Sequence, residues 1–132
     1  MKKATYFAVF EPTATAYSVY FPDLPGCITV GKDLEQASQM AKEALGLHLW
    51  GMEKDNEEIP SATLPPYEEI EAGGFVMPIE IFPELVKNEI ESKAVKKTLT
   101  IPYWLNELAE KNQINFSQIL QNALKEYMQI AK

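Results

Sequence analysis

Ala94-Val-Lys-Lys-Thr-Leu-Thr-Ile-Pro102 constrains this chain more than any other stretch. The residues alternate for the length of one short strand, and a proline stops it; two helical patterns follow, joined at Asn112 to Asn115. A strand this short, with only helices behind it, lacks a mate in its own segment and is expected to pair with the same strand of a second copy. Alternation puts Leu99 and Ile101 on one face and Lys96, Thr98 and Thr100 on the other. Pro102 suits the first turn of a helix reaching about Lys111, with Leu105 and Leu108 inward. Asn115 or Ser117 can cap a second helix, in which Phe116, Ile119, Leu120, Ala123, Leu124, Tyr127 and Met128 recur at three and four. A segment of about forty residues buries too little apolar surface to stand alone, and dimerisation solves this.

The net charge of −7 is unevenly spread. Residues 1–92 carry six Lys against sixteen Asp and Glu, a net −10, whereas residues 93–132 carry six Lys against three Glu, a net +3. The acidic part should repel nucleic acid and attract a basic protein, while the basic part can sit near phosphates. The sequence contains no arginine, so bidentate guanidinium readout of guanine is excluded. No apolar run approaches the roughly 18 residues of a membrane span, and Met1 to Phe10 does not read as a leader, so a cytoplasmic protein without a membrane partner is expected. Cys27 is the only cysteine, which excludes an internal disulfide, and it has no partner at zinc-ligand spacing.

The front half reads as α+β. Tyr6 to Phe10 and Tyr17 to Phe21 predict an antiparallel hairpin, and Cys27 to Gly31, after the turn Pro22-Asp-Leu-Pro-Gly26, completes a three-stranded meander. Asp33 is a plausible N-cap for a helix from about Leu34 to Trp50 that covers one sheet face. Residues 53–72 are acidic, hold Pro60, Pro65 and Pro66, and read as a surface loop. Gly74 to Phe82 predicts a fourth strand, with Pro78 arguing for an edge position or a bulge. The expected organisation is a front domain over 1–85, a linker over 86–93 and the dimeric module over 94–132.

A two-stranded ribbon fits the major groove of duplex DNA, and its outer face reaches base edges, which makes Lys96, Thr98 and Thr100 the candidate DNA contacts. Asn115, Phe116 and Ser117 begin the second helix, whose free N–H groups can hold a backbone phosphate; the same residues also serve as a plain cap. In the front half, Glu11, Asp23 and Asp33 are candidate contacts for a basic protein, against the reading that acid there only solvates the surface. A metal-dependent nuclease would need carboxylates gathered on strands. Asp23 lies in a turn, Asp33 is a cap, and the rest sit in a proline-bearing loop, so neither catalysis, metal nor cofactor is expected.

Lys96-Lys-Thr-Leu-Thr-Ile-Pro-Tyr-Trp-Leu-Asn-Glu-Leu-Ala-Glu-Lys with Asn115-Phe-Ser-Gln-Ile-Leu-Gln-Asn-Ala-Leu resembles ribbon-helix-helix DNA-binding domains. Phe21-Pro-Asp-Leu-Pro-Gly-Cys-Ile-Thr-Val-Gly31 and the helix after it resemble the HicB antitoxin family. The resemblance implies a partial ribonuclease-H-like front domain without that enzyme's catalysis, and a dimeric ribbon-helix-helix domain behind. It further implies a small basic HicA-like RNA-cleaving toxin as protein partner, operator double-stranded DNA as the second partner, and repression of the chain's own operon. A homodimer is expected, with assembly into tetramers left open. Many relatives carry arginine on or near the ribbon, and this chain departs from them. The alternative is a stand-alone regulator whose front domain senses a ligand or oligomerises.

Overall fold

The computed structural model describes residues 1–130, apart from the Tyr67 side chain. In chain order it holds β1 (Ala4–Pro12), β2 (Tyr17–Tyr20), β3 (Ile28–Gly31), α1 (Leu34–Lys54), a 3-10 turn (Tyr67–Glu69), β4 (Phe75–Ile81), α2 (Pro83–Glu91), α3 (Tyr103–Lys111) and α4 (Phe116–Tyr127). It divides into two compact units, Met1–Ala94 and the residues from Val95 onward.

The first unit is an antiparallel sheet in the order β3-β2-β1-β4. Pro78 lies on the edge strand β4, as its missing N–H requires. On one face Tyr6, Ala8 and Phe10 of β1 stand beside Ile79, Met77 and Phe75 of β4, with Val19 of β2 next to them. Phe10 and Phe75 stack with ring centroids 5.1 Å apart. Helix α1 lays Ala37, Ala41, Leu45 and Leu49, a stripe repeating every four residues, onto that face. The stripe is narrower than the apolar pattern suggests, because Leu34 and Leu47 remain exposed. Burying Leu45 and Leu49 stabilises the fold by about 1.5–3 kcal/mol each.

Asp33 caps α1 as expected, its carboxylate accepting the Gln36 N–H at 2.8 Å. The helix runs past Trp50 to Lys54 and ends in a Schellman arrangement, with Asn56 in the left-handed region (φ 55°) and the Glu57 N–H donating to the Met52 carbonyl.

The turn Pro22 to Gly26 folds inward. The Leu24 N–H donates to the Phe21 carbonyl, the Cys27 N–H to the Leu24 carbonyl and the Phe21 N–H to the Cys27 carbonyl, and all three side chains are buried. Gly26 takes φ +89°, which a residue with a Cβ adopts only under strain. This loop therefore works as a core plug.

Residues 86–91 of the segment expected as a linker are helical. Pro83 opens α2, which carries the chain to Glu91 and packs against α1: Val86 lies over Gly46, and the Trp50 indole N–H donates to Glu91 at 2.9 Å. A nine-residue pattern with only Leu85, Val86 and Ile90 as apolar positions looks like a charged connection in sequence, and its packing partner makes it a helix.

Candidate interaction surfaces

Leading into the second unit, residues 94–101 form neither helix nor strand, and no backbone hydrogen bond of theirs is found among the described residues. Leu99 and Ile101 are exposed, as are Lys96, Thr98 and Thr100. Pro102 stands at the N-cap of α3 rather than inside its first turn. Helix α4 begins at Phe116 with Asn115 as its cap, the amide oxygen accepting the Gln118 N–H at 3.0 Å. Ser117 leaves the cap to Asn115, and its hydroxyl accepts from the Gln121 amide at 3.2 Å. Phe116 is half exposed. Lys96, Thr98 and Thr100 thus share one irregular segment, and Asn115, Phe116 and Ser117 share one helix start.

Neither α3 nor α4 contains a buried residue. Trp104 is 64 % exposed, and Leu105, Leu108, Ile119 and Leu124 are exposed with it. Two amphipathic helices in this condition lack a core, and apolar surface of this extent marks a place where another molecule packs.

In the first unit the candidate acids part company. Asp33 is engaged as the α1 cap. Asp23 accepts from the Thr63 N–H at 2.7 Å and from its hydroxyl at 2.6 Å, clasping residues 55–66 to the Pro22–Gly26 turn; the Tyr6 hydroxyl donates to the Pro60 carbonyl of the same loop. Burial, with Asp23 nearby, raises the Tyr6 pKa. Glu11 alone of the three faces outward from a strand, opposite Ser18. Among the described residues no three His, Cys, Asp or Glu side chains gather as cation ligands.

The sheet face away from α1 escaped the sequence reading. Register places Phe7 beside Pro78, Val9 between Tyr20 and Val76, Tyr20 beside Ile28, and Ser18 beside Val30. The signal was present: Tyr6-Phe7-Ala8-Val9-Phe10 is apolar without alternation, which a strand with one wet face does not need. Tyr20 has a raised pKa, first from burial and then from the carboxylates of Glu11, Glu71 and Glu69.

Comparison with known proteins places these surfaces in context. Residues 6–124 match the family described as HicB_like antitoxin of bacterial toxin-antitoxin system. An uncharacterised 14.9 kDa protein of Haemophilus phage HP1 is 31 % identical over 133 residues, covering 90 % of this chain and 96 % of that one. Among solved structures, a chain of a toxin-antitoxin complex from Streptococcus pneumoniae is 26 % identical, with a TM-score of 0.58 over 96 % of this chain and 99 % of that one. The antitoxin HicB3 is 28 % identical, with a TM-score of 0.50 over 94 % and 97 %. No helix among the described residues is long and apolar enough to cross a membrane.

Proposed function

This chain belongs to the HicB-like antitoxin family of bacterial toxin–antitoxin systems, and from that premise we propose that its two units divide two roles. The first, a partial ribonuclease-H-like domain in our reading, neutralises a HicA-like RNA-cleaving toxin. The second pairs two chains through a ribbon-helix-helix and represses the operon.

The observation that carries this division is the place where charge changes sign. Residues 1–94 hold seven Lys against sixteen Asp and Glu, a net −9, and residues 95–132 hold five Lys against three Glu, a net +2, so the unit boundary after Ala94 is also the electrostatic boundary. An acidic unit suits a basic toxin whose RNA-binding surface it covers, and a net-basic one suits phosphate.

In the dimer, the unpaired segment 94–101 finds its mate in the second chain, and Leu99, Ile101, Leu105, Leu108, Ile119 and Leu124 are covered. Lys96, Thr98 and Thr100 then lie on the outer face of a ribbon entering the major groove of the operator. The first N–H groups of α4, with the Ser117 hydroxyl free to donate, take a backbone phosphate beside Asn115 and Phe116. Of the three candidate acids, Glu11 is the one without a side-chain hydrogen bond among the described residues.

Co-expression with the neighbouring reading frame tests toxin neutralisation. Rescue of growth and co-purification are expected, and a frame that is neither toxic nor retained would overturn that role. For operator binding, Lys96→Ala with Thr98→Ala should abolish retention in a gel shift and leave toxin neutralisation intact.

A further inference from the structure

The antitoxin role leaves open which surface receives the toxin, and the uncovered sheet face supplies a candidate. Phe7, Val9, Tyr20, Ile28, Val30, Val76 and Pro78 form a band across all four strands, with α1 on the opposite side. Val9 is shielded within the band, while Ile28 and Val30 at its β3 end are 70 % and 59 % exposed. β-branched side chains left this open on a sheet cost solubility unless another surface covers them.

The rim decides what kind of surface that is. Glu11 stands on this face opposite Ser18, and Glu69 and Glu71 lie near enough to Tyr20 to act on its hydroxyl. On β4, Glu80 pairs with Lys3 at 3.8 Å, and Lys32 is exposed just past the β3 end of the band. A second copy of the face would oppose like charges to Glu11, Glu69 and Glu71, and nucleic acid would meet the same repulsion. A basic protein is instead drawn to those carboxylates, and its apolar patch would find Ile28, Val30, Tyr20 and Pro78 beside them, the layout of an apolar interface core with a polar rim.

We propose that the open face of the β3-β2-β1-β4 sheet is where the toxin docks, with Ile28 and Val30 as apolar anchors and Glu11, Glu69 and Glu71 as the charged rim. The proposal rests on the antitoxin role and adds its address.

The test uses the full chain and the purified toxin from the co-expression pair. Ile28→Asp and Val30→Asp change exposed side chains, so circular dichroism melts should stay close to the parent's. Each should weaken toxin binding in titration calorimetry by roughly 30-fold or more, the scale of an interface hot spot. Leu47→Asp, on an exposed position of α1, should leave affinity unchanged. Glu11→Gln with Glu71→Gln, which spares the apolar band, should slow association several-fold. Undiminished binding by the Asp variants would overturn the address while the antitoxin role stands; absence of binding by the parent would overturn both. A drop in the mass of the free chain on Ile28→Asp, by sedimentation, would make the face a self-interface and sink the proposal.

Discussion

Asp23 and Thr63 close a two-bond clasp across 40 residues, the carboxylate taking both the backbone N–H at 2.7 Å and the hydroxyl at 2.6 Å. With the Tyr6 hydroxyl on the Pro60 carbonyl, it ties the acidic loop to the sheet end that holds the Pro22–Gly26 turn. A proline-bearing acidic stretch thereby acquires a set path along the unit. The clasp is solvent-exposed, so its net contribution is only about 1 kcal/mol.

Asp23→Ala should therefore lower the melting temperature by about 4–8 °C and speed proteolytic cleavage between Glu57 and Pro66. Limited digestion with a glutamate-specific protease reads the second effect. If toxin affinity falls while cleavage does not change, Asp23 is a contact in its own right.

Gly31 is a second point of zero tolerance. A Cβ there would lie 2.3 Å from the Ala37 backbone nitrogen and 2.4 Å from its Cα, so the end of β3 and the first turn of α1 touch backbone to backbone. Gly31→Ala has no flexible neighbour to displace and must push α1 off the sheet, at a cost of about 3 kcal/mol or more. A urea midpoint lowered by less than about 0.5 M, at a slope of about 1–3 kcal/mol/M, would show that the helix start yields easily.

The residues that were legible in the sequence are those whose role is local. Asp33 could be read as a cap, the meander from its aromatic and β-branched runs, and the edge position of β4 from Pro78, because each follows from one backbone rule. Helix α2 was not legible, since its stability comes from Val86 on Gly46 and Trp50 on Glu91, contacts made across about 40 residues. The open face was hidden for a related reason: an apolar run such as Tyr6 to Phe10 says that both faces are apolar, and only the register shows that one has no helix over it. The strand expected at 94–102 is not formed: among the described residues 94–101 make no backbone hydrogen bond, and a short strand without a paired neighbour does not persist.

Cys27 carries a pH prediction. Burial pushes its thiol up to about 11 from an ordinary 9.0. The folded chain thus holds a proton that the unfolded chain releases above pH 9, so the contribution is intact below pH 9 and is lost as pH rises toward 11, at about 1.4 kcal/mol per unit. Unfolding free energy measured at about pH 8 and about pH 10.5 should fall more steeply for the parent than for Cys27→Ala, whose packing loss is the same at both values. Equal slopes would mean that the thiol ionises in place. At about pH 8 the native thiol should also react with Ellman's reagent far more slowly than in urea.

Charge should govern how fast the toxin arrives more than how long it stays. The first unit's net −9 sets up a long-range field, and Glu11, Glu69 and Glu71 place part of it beside Tyr20 on the open face. Steering of this kind raises association rates and is screened once the Debye length shrinks from about 10 Å at about 0.1 M salt to about 3 Å at about 1 M. Stopped-flow association should therefore slow by about tenfold or more over that range, while dissociation, set by the apolar contacts at Ile28 and Val30, changes little. Glu11→Gln should flatten the salt dependence without altering dissociation; Ile28→Asp should speed dissociation and keep the salt dependence. An association rate indifferent to salt would leave the complex standing and remove electrostatic attraction from its explanation.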